Sequence, residues 1–377
     1  MASPPAPLTE AEKEFFLANG YIKLSNCFTQ EQADDMTKGV WARLGMSPTD
    51  KGTWTQERVH MPSHRSFDAA TFAPRAWAAI CELCGGEDRV DPRSREWRDS
   101  LIVNLGTPET ERRGPTPPKD LDEWHVDGDF FVHYLDSPDQ ALLVIPLFTD
   151  IAPGGGGTGK RFLELFLPIF FSLSAQIPKC RLSGDDRSRN MSHDPLLFTK
   201  LTRIGHLLTP DVVVLCPDAI PKVARHLYEH PEGVSPRMRT RSDPAFAEEG
   251  ALEWYEEVVR GCDDGSFVEA TGRVGDVYLL HPMMMHCAGS NALRNVRIIT
   301  NPPVFLREPH RFDREDGRYS LVELKTMRGI GEENLRGWKI TMPREKVVPE
   351  RLRIQEAMRH EELKRMQELR NDVDVAA

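Results

Sequence analysis

Residues 141–148, Ala-Leu-Leu-Val-Ile-Pro-Leu-Phe, form an unbroken apolar run bounded on both sides by turn residues. A run this short, with no polar position to offer a solvated face, predicts a strand buried on both sides. Other layers must cover it. The stretches 21–24, 100–104, 124–133, 212–215, 267–270, 276–280 and 297–300 have strand character and are separated by Gly- and Pro-bearing turns. Such short strands, preceded by helices, predict an α+β or all-β sandwich.

The helices are read from caps and periodicity. Thr9 and a following carboxylate open one that the Asn19-Gly20 pair ends, and Thr29 caps a second over 30–44. Further helices are expected over 74–84, 222–229 and 251–260, and a long amphipathic one over 343–369 that packs on the core or on a second copy in a homodimer. Residues 45–66 and 106–122 read as loops. The first carries Trp54, Gln56, Arg58, His60 and His64, a set suited to contacting a substrate.

With 377 residues, 40% of them hydrophobic, the chain can bury a sizeable core in one large or two ordinary domains. Its formal charge of −10 argues against a nucleic-acid or anionic-membrane binder, which needs a basic face. Small-molecule partners are expected instead. Seven cysteines without the dense spacing of a secreted scaffold, and an N-terminus lacking signal or transit features, point to a reducing compartment, the cytoplasm.

Several motifs are set aside on chemistry. Cys81-x-x-Cys84 has no second pair to complete a zinc site and no βαβ context, so helix-face packing is expected. The glycines at 154–157 lack the Lys-Ser/Thr pair of a phosphate loop, and the apolar 162–173 is too short to span a membrane. His125-x-Asp127 is different. On an extended chain both side chains point the same way and can converge on a metal. A third ligand is sought in the strand-turn-strand 275–291, which offers His281 and His286, and beyond it Arg297 lies in an apolar strand where it needs an anionic partner. Arg294, in the probable turn, is the weaker candidate because solvent can satisfy it there.

Together, H-x-D, a distant H-P-x-x-x-H-x-x-G-x-N spanning His281 to Asn291, and an arginine eleven residues past His286 resemble the phytanoyl-CoA dioxygenase family of Fe(II)/2-oxoglutarate oxygenases. The resemblance runs from the opening Leu8-Thr9-Glu10 to about Val304, apart from 159–210. It implies a mainly β fold with flanking helices, a double-stranded β-helix or cupin-like jelly roll over 1–342 with a C-terminal helical extension over 343–377. It implies iron ligands His125, Asp127 and His286, preferring His286 to His281, with Arg297 holding the distal carboxylate of 2-oxoglutarate and Asn104 lining the co-substrate pocket. The activity implied is hydroxylation of a small or medium organic substrate with O₂, releasing succinate and CO₂. Related halogenases carry a small residue where Asp127 stands, so oxygenation is favoured. The alternative is a metal-binding or regulatory jelly-roll protein without turnover.

Residues 159–210 interrupt that pattern, which passes from a glycine turn almost directly to a strand and a P-x-x-x-x-K stretch like Pro217 to Lys222. Gly159-Lys160 can be encoded with a splice donor and Pro210-Asp211 with an acceptor. The expectation is an intron translated in frame, with a genuine insertion over the site as the alternative.

Overall fold

A computed structural model describes residues 8–152, 213–248 and 252–376; the expected insertion at 159–210 therefore lies outside the described residues. Among the described residues the strands are β1 Tyr21–Leu24, β2 Arg58–His60, β3 Ser66–Asp68, β4 Glu96–Arg98, β5 Ile102–Asn104, β6 Leu142–Pro146, β7 Val213–Cys216, β8 Val268–Ala270, β9 Val277–Leu280, β10 Met285–Ala288, β11 Arg297–Ile299 and β12 Pro303–Val304. They pair antiparallel throughout, in the orders β1-β9-β6-β12, β10-β7-β8, β11-β5-β2 and β3-β4. A bridge between Leu147 and Ile299 links the first sheet to the third.

The apolar run 141–148 contains β6, buried at every position. Its alternating side chains feed two cores, as the pleat requires. Leu142 and Val144 join Leu279, Val103, Ile298 and Val59 in a core shared with Phe16, Trp77 and Trp97 from the N-terminal half. Leu143 and Ile145 join Tyr278, Leu280, Ile299, Leu215 and the helix Ile220–Glu229 in the other. The middle residues of β2, β5 and β11 thus face the first core. Arg58, His60, Ile102, Asn104, Arg297 and Ile299 share the opposite face.

Helices are as prominent as strands, so the architecture is mixed helix and sheet where the family resemblance implied mainly β. The helix Glu10–Asn19 has the expected cap: Thr9 and Glu12 form a reciprocal capping box, and Gly20 ends it in the left-handed region. The expected helix 30–44 is instead two, Gln30–Met36 and Val40–Leu44, because Gly39 takes a φ of 80° between them. Both expected loops hold structure. Residues 45–66 contain β2, and Thr107 caps a helix Pro108–Arg113 within 106–122. The helix Leu321–Ile330, capped by Ser320 and Glu323, lies in a stretch the sequence reading left unassigned.

The C-terminal helix begins later than expected, at Arg351, and runs to Ala376. Its inward face meets Val40–Leu44 of the same chain. Glu362 accepts from Arg43 Nε at 2.8 Å and contacts His64 Nε2 at 2.8 Å, while Arg43 Nη1 lies 3.1 Å from Asp99 Oδ2. No described helix is long and apolar enough to cross a membrane.

Candidate metal centre

The segment 124–133 is not the regular strand expected of it. Its pairing is limited to isolated bridges, and one of them builds the site: the N–H of His125 donates to the His286 carbonyl at 3.0 Å, and the N–H of His286 donates to the His125 carbonyl at 2.9 Å. His286 stands on β10, opposite Leu215 of β7, on the face away from Met285 and Cys287. Two residues past His125, Asp127 joins them. The chain turns at once, because Gly128 has a φ of 119° and a Cβ there would lie 2.6 Å from the Phe131 ring and 2.8 Å from that of His133.

His125, Asp127 and His286 each offer a ligand atom, and these atoms all lie within 4.8 Å of one another. Asp127 Oδ1 sits 3.4 Å from His125 Nε2 and 3.5 Å from His286 Nε2. The other nitrogens are spent on backbone. His125 Nδ1 meets the Glu123 carbonyl at 2.6 Å and His286 Nδ1 the Met284 carbonyl at 3.1 Å, contacts in which Nδ1 must carry the hydrogen. That leaves both Nε2 atoms directed at Asp127, able to donate to its carboxylate when they carry a proton or to present a lone pair to a metal when they do not. Burial alone raises the Asp127 carboxyl's pKa, but hydrogen bonds and charge from His125 and His286 outweigh it and hold it well below the usual range. The carboxylate is ionised and ready to ligate.

Asn301, just past β11, donates from Nδ2 to Asp127 Oδ2 at 3.2 Å, which keeps Oδ1 turned toward the imidazoles. The sequence reading missed it. Its one available signal was its place four residues after Arg297, on the same strand exit.

His281 is elsewhere. It is wholly buried, its Nε2 contacts Thr326 Oγ1 at 3.0 Å and its Nδ1 accepts from the Met283 N–H at 3.2 Å, so both nitrogens serve the core. Burial pushes its pKa down to about 3. Arg297, 4% exposed, is in register with Asn104, and Arg58 pairs with Asn104 from the other side, so Arg297, Asn104 and Arg58 form a row across β11, β5 and β2. Asn104 Oδ1 accepts from the Gly106 N–H at 3.1 Å. Arg294 lies in the turn, but solvent is not what satisfies it: it is buried, donates to the Lys51 carbonyl at 3.1 Å and stacks 5.5 Å over the Trp54 ring.

Of the loop set, Trp54 is a packing residue, stacked 6.0 Å from Trp41. Arg58 pairs with Glu123, beside the His125 strand. His60 lies exposed on the same strand, near the charges of Arg58, Arg351 and Glu123. Arg351, the first residue of the C-terminal helix, pairs with Asp129 through Nε and Nη2, the latter at 2.8 Å, and covers the Phe130 ring at 4.4 Å. The rim of the His125, Asp127 and His286 cluster therefore joins β2, the 123–130 segment and the start of the last helix. Cys81 and Cys84 pack in the first core, as expected of a helix face.

No family model matches the sequence, and neither does any curated protein. Solved structures that are similar include a non-heme alpha-ketoglutarate-dependent carbocyclase, SnoK from nogalamycin biosynthesis, at 12% identity over 79% of this chain and 84% of that one, with a TM-score of 0.35. Another is EctD from S. alaskensis in its apoform, at 14% identity over 81% of this chain and 78% of that one, with a TM-score of 0.31. At scores this low neither likeness bears on the chemistry, for which the donors' own geometry has to speak.

Proposed function

We propose that the protein is an Fe(II)- and 2-oxoglutarate-dependent oxygenase that hydroxylates a small or medium organic substrate, its antiparallel layers being a double-stranded β-helix. One observation carries the reading. Two imidazoles whose Nδ1 atoms are tied to backbone carbonyls, and one ionised carboxylate, present three ligand atoms within 4.8 Å of one another. Two histidines and a carboxylate are the donor set of non-haem iron oxygenases.

His125, Asp127 and His286 would hold the iron. Bound there, Fe(II) with 2-oxoglutarate and O₂ would supply the oxidising power, with succinate and CO₂ as co-products. The chain's own residues position and shield. Arg297 offers a forked guanidinium to the distal carboxylate of 2-oxoglutarate from a buried strand, where water competes little. Asn104, whose Oδ1 is held by Gly106, keeps Nδ2 as a donor beside it. Arg58 and His60, which share that face of the sheet, would contact the substrate, and Asn301 would fix the ligating carboxylate.

Domain 1–342 with extension 343–377, a cytoplasmic location and a homodimer through the last helix belong to the same proposal. Ile354 and Leu363 on that helix are exposed, which supports the dimer, and light scattering tests it. The function is tested by succinate release from 2-oxoglutarate with Fe(II) and ascorbate, alone and with candidate substrates. Release that needs Fe(II) and disappears in Arg297→Ala is expected. Tight metal binding with no succinate under any condition would favour the metal-binding protein without turnover.

A further inference from the structure

Away from the metal cluster, two sulfurs meet. Cys216 ends β7 and Cys262 follows the helix Glu253–Arg260, and their Sγ atoms are 3.5 Å apart. Both side chains are buried, Cys216 entirely, but Cys262 is flanked by exposed Gly261 and Asp263. A third group completes the arrangement. Lys222 Nζ lies 3.3 Å from Cys262 Sγ and is held there by the carbonyls of Gly261 at 2.9 Å and Val258 at 3.3 Å, the unpaired C-terminal end of the helix that favours a cation.

We propose that Cys216 and Cys262 form a dithiol site that hydrogen peroxide oxidises to a disulfide, with Lys222 activating Cys262. Lys222 Nζ stands where it can pair with a Cys262 sulfur that has lost its proton, the nucleophilic form, while burial pushes the Cys216 thiol up. The two cysteines therefore have different tasks. The Cys262 thiolate attacks one peroxide oxygen, the O–O bond breaks, and a sulfenic acid and hydroxide result. Cys216 sulfur then attacks the sulfenic sulfur, the S–O bond breaks, and the Cys216 proton passes to the departing hydroxide. In sum two thiols and one peroxide give one disulfide and two waters, the thiols being oxidised by two electrons and the peroxide reduced. The sulfurs, 3.5 Å apart, must close to about 2.05 Å for the bond to form.

The site owes nothing to the metal reading. Its bond would tie the helix Glu253–Arg260 to β7, whose Cys216 is in register with Met285, the neighbour of His286.

The full chain is exposed to dilute hydrogen peroxide, quenched with an alkylating agent and read by intact mass and peptide mapping. The expected result is a chain that takes up two fewer alkyl groups than the untreated one, traced to a peptide linking 216 to 262 and reversed by dithiothreitol. Cys216→Ala should leave a sulfenic acid on Cys262 that dimedone captures. Lys222→Met should slow oxidation several-fold, with Lys222→Arg restoring it; circular dichroism establishes that each variant is folded. Cross-linking of other cysteines, persistence of both thiols, or a folded Cys216→Ala protein with no dimedone adduct at 262 would each overturn the proposal.

Discussion

His125 and His286 face one another across a two-residue antiparallel bridge, their ring centroids 4.4 Å apart, although 160 positions separate them in the chain. The backbone bridge brings the imidazoles together; Asp127 then needs only the two-residue offset that a strand-like chain provides. Because the contact belongs to the backbone, replacing one ring should leave the fold intact. His286→Ala is expected to keep the wild-type circular dichroism spectrum and lose Fe(II)-dependent turnover. His281→Ala should do the reverse, sparing metal binding while costing stability through a core cavity, about 2–5 kcal/mol by denaturant titration.

Asn301 touches the metal cluster only through Asp127 Oδ2. Partners that orient a ligand typically contribute 10–100-fold in metal affinity. Asn301→Ala should therefore weaken Co(II) or Fe(II) binding by about that factor, measured by competition with a chelator, without changing the KM for 2-oxoglutarate at saturating metal. An unchanged metal affinity would leave Asp127 oriented by the histidines alone.

Stability should fall on mild acidification. Burial lowers His281 from 6.5 to about 3, and His133 and His310 to about 4. A folded-state pKa below the unfolded one means that the unfolded chain takes up the proton first. Each contribution is therefore present above about pH 6.5 and is lost as pH falls toward the folded value. At pH 5 each histidine costs about 2 kcal/mol relative to pH 7.5. Carboxylates with lowered pKa, such as Glu323, release their stabilisation only at lower pH, so the upper window belongs to the histidines. Denaturant titrations at pH 7.5 and 5.0 measure it, and a folded His281→Gln variant should show a shallower slope.

The C-terminal helix is held by a buried charge network: Glu362 is 1% exposed and Arg43 2%. Removing Glu362 takes one of the two carboxylates from a buried guanidinium and leaves it to Asp99 alone, a cost of up to about 3–5 kcal/mol. Glu362→Ala is expected to cost that much and to expose the helix to proteolysis. At the helix start, Arg351→Ala should release Asp129 with a smaller effect on stability, since that guanidinium is 41% exposed.

What the sequence made legible followed from local rules. Thr9 announced a helix start, Gly20 a stop, and the unbroken apolar run of β6 a strand buried on both faces. His125, Asp127 and His286 were nameable because a metal demands particular residue types, and the structure brings those three together. Other features had no local signal. The three-residue β2 is a strand only because it pairs with β5, and the break at Gly39 depends on a conformation that glycine permits but does not announce. Asn301 and the Arg43–Glu362 contact are long-range, joining positions whose types alone predict nothing.

Residues 159–210 were expected to interrupt the sheets, and the two described ends that flank them bear on whether the fold needs them. Ile151 is bridged to Gly272, and Val213 is in register with Ala270, two positions away on the same stretch. Two residues of strand span about 7 Å and neighbouring strands lie about 5 Å apart. Even from opposite sides of that stretch, the two ends are then within about 12 Å of each other. Residues 153–158 with 211 and 212 can reach about 26 Å when extended, ample for that gap. A chain lacking 159–210 should therefore fold with the same strand pairing, bind metal through the same three ligands and unfold cooperatively. Expression of the deletion beside the full chain, followed by thermal melting and metal titration, measures this. If the deletion fails to fold or loses metal affinity while the full chain keeps both, the segment is an integral part of the protein; a dominant transcript that contains it would likewise exclude an intron. If the deletion matches or exceeds the full chain in stability, the two anchors on 270 and 272 are sufficient to close the fold.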